Sequence, residues 1–215
     1  MCLLDISPRE VIQMIDLLQV HPCTDHLPNG TEVHLVLPIE QTGGRPLYTT
    51  FSGSTYSRVR RKDRRTGEYR WEFRFIAPIP TNAAVNKKNG RRKQNYFKLR
   101  NHGRIYLHHA VCLAWNGPRK VDKYGRGYEC HHLNGITTDN RACNLVWVSC
   151  KEHKKYDARQ KALRELLGNL RIFSREDFLR WHAMSDDDFE AMLAKYTKGD
   201  PNDRIEYEMT HHCEC

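Results

Sequence analysis

Residues 128–153 read YECHHLNGITTDNRACNLVWVSCKEH and hold the side chains best suited to chemistry. Two adjacent histidines, His131 and His132, precede the turn formers Asn134 and Gly135. A loop with Asn140 and Asn144 follows, then a short apolar stretch, then His153. Neighbouring residues of a strand point to opposite sides, so one histidine can face a cation while the next faces a water. A neutral imidazole, with an ordinary pKa near 6.5, takes a proton at neutral pH. Cutting a phosphodiester needs an activated water, a cation on the developing charge and a stabilised leaving 3′ oxygen. This segment holds candidates for the base and for the ligands of the cation.

The elements that must position these groups follow from pattern. Residues 151–167 carry helical periodicity through Ala162, Leu163, Leu166 and Leu167, and Gly168 stops the helix. Upstream, 55–61 and 69–75 alternate as two strands about a turn at 64–67. A second pair is expected at 95–100 and 104–109 around Asn101-His102-Gly103, and 33–38 as a short strand. The first twenty residues predict an amphipathic helix, with Ser7 as cap, Pro8 in the first turn and Val11, Ile12 and Ile15 on its stripe. Ser174 with Asp177 and Ser185 with Asp188 each predict a capping box opening a C-terminal helix. The expected fold class is α+β: a basic antiparallel β-rich N-terminal region, a central two-strand and helix unit, and C-terminal helices.

The charge balance narrows the partner. The chain has 215 residues, with 35 basic against 26 acidic side chains, a formal charge of +9. That excess favours a polyanion. Arg58, Arg60, Arg61, Arg64 and Arg65 crowd one expected hairpin, and Lys87, Lys88, Arg91, Arg92 and Lys93 the next loop. Clustered cations bind DNA by releasing counterions, and a two-stranded ribbon fits a major groove. The interleaved aromatics Tyr56, Tyr69, Trp71, Phe73, Tyr96 and Phe97 are read as β core. No apolar run approaches a membrane span and no signal-peptide plan opens the chain, so it reads as cytoplasmic. The eight cysteines contain no C-x-x-C pair, and those at 112, 130, 143 and 150 are read as reduced core thiols.

H-H-x-N-G, then D-N-R-x-x-N-L, then W-V, then H resembles the HNH endonucleases, above all the phage and intron-encoded homing group. Residues 106–115 are similar to the strand and short helix that precede the motif there, and the resemblance covers about 104–156. It implies a ββα-metal finger in which His132 is the general base and His131 and His153 bind the cation. Asn144 would hold the inter-strand loop and help orient His132; Asn140 and Arg141 would shape the same loop, with Arg141 in reach of a phosphate. Cys143 and Val146 stand where the family commonly has acidic residues, and 118–127 is a longer, more basic insert. The implied cofactor is Mg²⁺ or Mn²⁺, with Zn²⁺ or Ni²⁺ tolerated by imidazole. The implied partner is double-stranded DNA, met at the minor-groove edge of the scissile phosphate and cut to 5′ phosphate and 3′ hydroxyl ends. A monomer would nick, and a double-strand break would need a homodimer or two sequential events.

The resulting layout is an N-terminal helix and loop (1–45), a basic docking region (46–103), a nuclease module (104–168) and an acidic helical end with a loose tail (169–215), the last a packing or partner-binding element. A phage or mobile element, working in a bacterial host's cytoplasm, is the expected source. Two other classes compete: a DNA-binding or packaging accessory that keeps the finger without cutting, and an adaptor whose histidines and cysteines hold zinc for structure alone.

Overall fold

The computed structural model describes residues 22–36, 46–80, 94–99, 103–168, 170 and 173–198. The expected first helix, the loop carrying Lys87, Lys88, Arg91, Arg92 and Lys93, and the expected loose tail, with His211, His212, Cys213 and Cys215, lie outside the described residues. Within them the fold is α+β. Strands β1 (Thr24–His26), β2 (Glu32–Leu35), β3 (Leu47–Thr50), β4 (Thr55–Lys62) and β5 (Tyr69–Phe75) form one antiparallel meander in chain order. Strands β6 (Ile79–Pro80), β7 (Asn95–Leu99) and β8 (Gly103–Tyr106) make a second sheet. Helix α1 (Leu107–Asn116) leads to β9 (Glu129–His132) and β10 (Leu145–Val148), an antiparallel pair in which Val146 faces His131 and Leu145 faces His132. Helices α2 (Cys150–Leu167), α3 (Arg175–Ala183) and α4 (Asp186–Lys198) follow.

The expected strand at 104–109 ends at Tyr106, and α1 begins at Leu107. Leu107, Ala110 and Val111 stand at helical spacing, and all three are buried in the first core with Leu47, Phe97 and Leu145. Burying large apolar side chains is worth about 1.5–3 kcal/mol each, more than the local β preference of this segment. The core spans both sides of α1 and so ties the β-rich region to the β9–β10 pair.

The second core lies under α2, where Leu163 and Leu167 meet Leu133, Phe178, Trp181 and Phe189. The C-terminal helices therefore pack on α2. Arg159 of α2 is buried and donates to the carbonyls of Trp181 at 2.5 Å, His182 at 3.1 Å, Met184 at 3.0 Å and Ser185 at 3.1 Å, and to Asp186 at 2.6 Å. Both predicted capping boxes are present in part or whole: Ser174 and Asp177 cap α3 reciprocally, and Ser185 accepts from the Asp188 amide at 3.0 Å.

A small third cluster joins Leu27, Val33, Leu35 and Tyr48, with Tyr56 and Phe73 against it. The aromatics read as β core divide here. Phe97 is buried and Phe73 packs, but Tyr69 and Trp71 are exposed, as is Phe75. Strand β5 runs past the edge of this cluster, so alternate rings on one face reach solvent. No helix among the described residues is long and apolar enough to cross a membrane.

Candidate metal centre

The site is built on β9, β10 and the first turns of α2. Helix α2 opens with a complete capping box: the Ser149 hydroxyl accepts from the Glu152 amide at 3.3 Å, and the Glu152 carboxylate accepts from the Ser149 amide at 2.8 Å. This fixes the helix entry one turn from His153. Positions 153, 157 and 160 then share one helical face at i, i+4 and i+7.

That face meets His131. Ligand atoms of His131, His153 and Asp157 all lie within 4.8 Å of one another. His153 Nδ1 is 3.5 Å from Asp157 Oδ2, and His131 Nδ1 is 3.9 Å from Asp157 Oδ1. Donors held at about 2.1 Å from one ion stand about 3–3.5 Å apart, so small shifts bring these three onto a common centre. The two imidazole rings stand edge to face with centroids 4.8 Å apart. Glu129 adds a second carboxylate 3.6 Å from His153 Nδ1 at the rim. Two imidazole nitrogens and a carboxylate oxygen are a donor set that fits a divalent transition ion.

Gln160 supports the centre from behind. Its Nε2 lies 2.6 Å from His131 Nε2, and also 2.5 Å from the His132 carbonyl and 2.8 Å from the Leu133 carbonyl. An amide nitrogen only donates, so His131 Nε2 accepts and the ring proton lies on Nδ1, turned toward Asp157; an ion at Nδ1 would require that proton to move to Nε2 and the Gln160 amide to turn its oxygen there. Asp157 and Gln160 escaped the sequence reading. Their spacing from His153 was the available signal, but an acid and an amide at i+4 and i+7 of a polar helix are common on solvated faces.

His132 lines the same cleft, a cavity of about 490 Å³ shared with His131, His153, Asp157, Gln160 and His108. Its Nε2 sits 3.1 Å from Asn140 Oδ1. An amide oxygen only accepts, so the ring proton belongs on Nε2 and the basic lone pair on Nδ1. Orientation of His132 thus comes through Asn140. Asn144 does the other expected job. Its Oδ1 accepts from the Asn134 amide at 2.9 Å, and its Nδ2 donates to Asn134 Oδ1 at 3.0 Å and to the Asp139 carbonyl at 2.8 Å. It pins both ends of the 134–139 loop and has no direct hydrogen bond to His132 among those found.

Arg141 is turned inward. Its Nε and Nη2 each donate to Asp139 at 2.9 Å, a bidentate pair. Burial opposes ionisation of Asp139, but the hydrogen bonds from Arg141 and Asn134 outweigh it and hold the carboxyl below its usual range. The pairing gives Arg141 a loop-closing role. His108 is buried with its ring 5.2 Å from His132, and burial, then His109 and His132, push its pKa down to about 2. It is a neutral wall of the cleft.

Arg58, Arg60 and Arg61 sit on β4, and Arg64 and Arg65 in the turn that follows. Arg58 pairs with Asp25 at 3.3 Å and Arg61 with Glu72 at 3.4 Å. Cys112, Cys130 and Cys143 are buried and Cys150 is half-buried, and none of the four is in a disulfide. No protein-family model, curated protein or solved structure matches the chain.

Proposed function

We propose that this chain is a metal-dependent DNA endonuclease of the HNH kind, with β9, β10 and α2 as its ββα-metal finger. One observation carries the reading. Two histidines and a carboxylate converge tightly enough for one cation, and the cleft they line also contains a histidine whose tautomer is fixed for base catalysis. The sequence resemblance points the same way.

His131, His153 and Asp157 would hold the divalent ion, which supplies Lewis-acid stabilisation of the phosphate and the leaving oxygen. His132 does the proton work. Asn140 Oδ1 keeps the proton on Nε2, so Nδ1 takes the proton of an attacking water. Asn144 keeps the loop rigid, which limits the wandering of Asn140 and thereby of His132. The products would carry 5′ phosphate and 3′ hydroxyl ends. Duplex DNA would be held by Arg58, Arg60, Arg61, Arg64 and Arg65, with the cations of 87–93 adding to the chain's positive charge. Because nitrogen donors outnumber carboxylates in the triad, Mn²⁺ would bind more tightly than Mg²⁺, and Ni²⁺ or Zn²⁺ more tightly still.

Supercoiled plasmid relaxation tests this. Nicking is expected with Mn²⁺ or Mg²⁺ and is abolished by EDTA. His132→Ala should lower the rate by about 10²–10⁴-fold, the usual contribution of a positioned base. Asp157→Ala should shift the metal requirement upward while retaining activity at high Mn²⁺. Plasmid bound but left uncut by the wild-type chain with every one of these metals would refute the enzyme and leave a DNA-binding accessory.

A further inference from the structure

Strand β5 carries an aromatic residue at every second position, Tyr69, Trp71, Phe73 and Phe75, and period two places all four on one face. The register sets Lys62 opposite Tyr69, Arg60 opposite Trp71, Arg58 opposite Phe73 and Tyr56 opposite Phe75. Directly opposed residues share a face, so a row of rings lies beside a row of cations. Phe73 anchors the row, packing edge-on against Tyr48 with centroids 5.2 Å apart. Toward the hairpin tip the row runs into solvent: Trp71 is 39% exposed and Tyr69 57%.

The cations are set over these rings. The Arg60 guanidinium is 4.4 Å from the Tyr69 centroid and Lys62 Nζ is 5.8 Å from it, while Arg58 lies 5.8 Å from Trp71. Between 58 and 75 there are eight basic residues and three acidic ones. An apolar partner would have to bury Arg60 and Lys62 along with the rings, at a large desolvation cost. A second copy of the chain would bring like charges together. A duplex offers phosphates but keeps its base faces stacked inside. Unpaired nucleotides alone offer both a negative backbone and open π faces, on rings that repeat about every 6.8 Å along a strand.

We propose that this face of the β4–β5 ribbon binds single-stranded nucleic acid, with unpaired bases stacking on Tyr69 and Trp71 and phosphates held by Arg60 and Lys62. The site lies outside the metal centre and requires no metal; it rests on the ribbon assigned above to DNA and deepens that assignment by giving the ribbon an unpaired strand as its preferred ligand. An enzyme with such a platform would favour a substrate that has an unpaired stretch beside its duplex, such as a branch, flap or opened strand.

Fluorescence anisotropy of a labelled mixed-sequence oligonucleotide, with the full chain in EDTA, tests it. The probe is presented as single-stranded DNA, single-stranded RNA and duplex DNA of equal length. Tighter binding of either single strand than of the duplex is expected, and the stronger of the two identifies the preferred sugar. Trp71→Ala and Tyr69→Ala should each weaken single-strand binding at least about fivefold, while Trp71→Phe keeps most of it. The salt slope of log Kd should stay unchanged in Trp71→Ala and fall by about 0.7 in Arg60→Gln. Duplex bound as tightly as both single strands, or unaltered single-strand affinity in folded Trp71→Ala and Tyr69→Ala, would overturn the proposal.

Discussion

His182 is buried behind the candidate metal centre, stacked on Tyr156 at 3.7 Å, and neither of its ring nitrogens has a hydrogen-bond partner among the described residues. Burial, then Arg159 and Lys155, push its pKa down to about 3. Burial likewise takes His108 down to about 2 and His109 to about 4. In the unfolded chain each titrates near its ordinary 6.5. Below that value the unfolded state holds protons that the folded state refuses, so stability is complete above about pH 6.5 and is lost as pH falls toward the folded values. The loss approaches roughly 1.4 kcal/mol per pH unit for each histidine. Urea midpoints should therefore drop between about pH 7 and pH 5. His182→Phe, which removes two unsatisfied nitrogens and keeps a ring on Tyr156, should leave stability at neutral pH equal or higher and make the acid slope shallower. An unchanged slope would mean that His182 accepts a proton in the folded state. Residue identities around the site were legible where they were contiguous: His131 and His132 stand out as a pair in any reading. Asn140 and Asn144 were both visible, but which of them reaches His132 depends on the loop path, and spacing does not encode that.

At the scale of elements, α2 does more than bury Leu163 and Leu167, because its first three turns deliver His153, Asp157 and Gln160 to one place. Its entry depends on the Ser149–Glu152 box. Ser149→Ala removes one half of that box and should cost about 1 kcal/mol of stability. It also loosens the turn that carries His153, so the shift of thermal midpoint on adding Mn²⁺ should shrink, while Ser149→Asp, a competent cap, should restore it. A full Mn²⁺ response in Ser149→Ala would show that packing beyond the first turn places His153 unaided. Helix α2 and strands β4 and β5 were readable because periodicity, turn residues and stops agreed. Strand β3 was not: all four of its residues are buried, so no alternation marks it. The start of α1 was hidden for a related reason, since Leu107 is drawn into the core by partners from β7 and β10 that are distant in sequence.

At the scale of the molecule, the first core joins the ribbon sheet to the β9–β10 pair across α1, and the turn between β3 and β4 adds a more direct link. The Phe51 carbonyl accepts from the Ala142 amide at 2.8 Å, and Phe51 packs edge-on against Trp115 of α1 at 5.2 Å. Beside it Gly53, with φ of +87°, lies so close that an added Cβ would stand 2.7 Å from the Asn140 carbonyl oxygen. Asn140 Oδ1 lies 3.1 Å from His132 Nε2, so the turn between β3 and β4 buttresses the proposed base from outside the cleft. Such a link joins residues almost ninety positions apart and has no local signature. Gly53→Ala should strain the turn by about 1–2 kcal/mol through its positive φ and also push the Asn140 backbone. Gly30→Ala separates the two effects: its φ is +82°, but an added Cβ meets nothing within 4 Å. Both variants should lose comparable stability from backbone strain, with Gly53→Ala losing somewhat more. Only Gly53→Ala should lower the plasmid-nicking rate when both are assayed well below their melting temperatures, and its pH–rate profile should shift because the partner of His132 Nε2 has moved. Equal rates in the two variants would show that Asn140 holds its place without the turn, and that the ribbon and the metal centre work as independent parts.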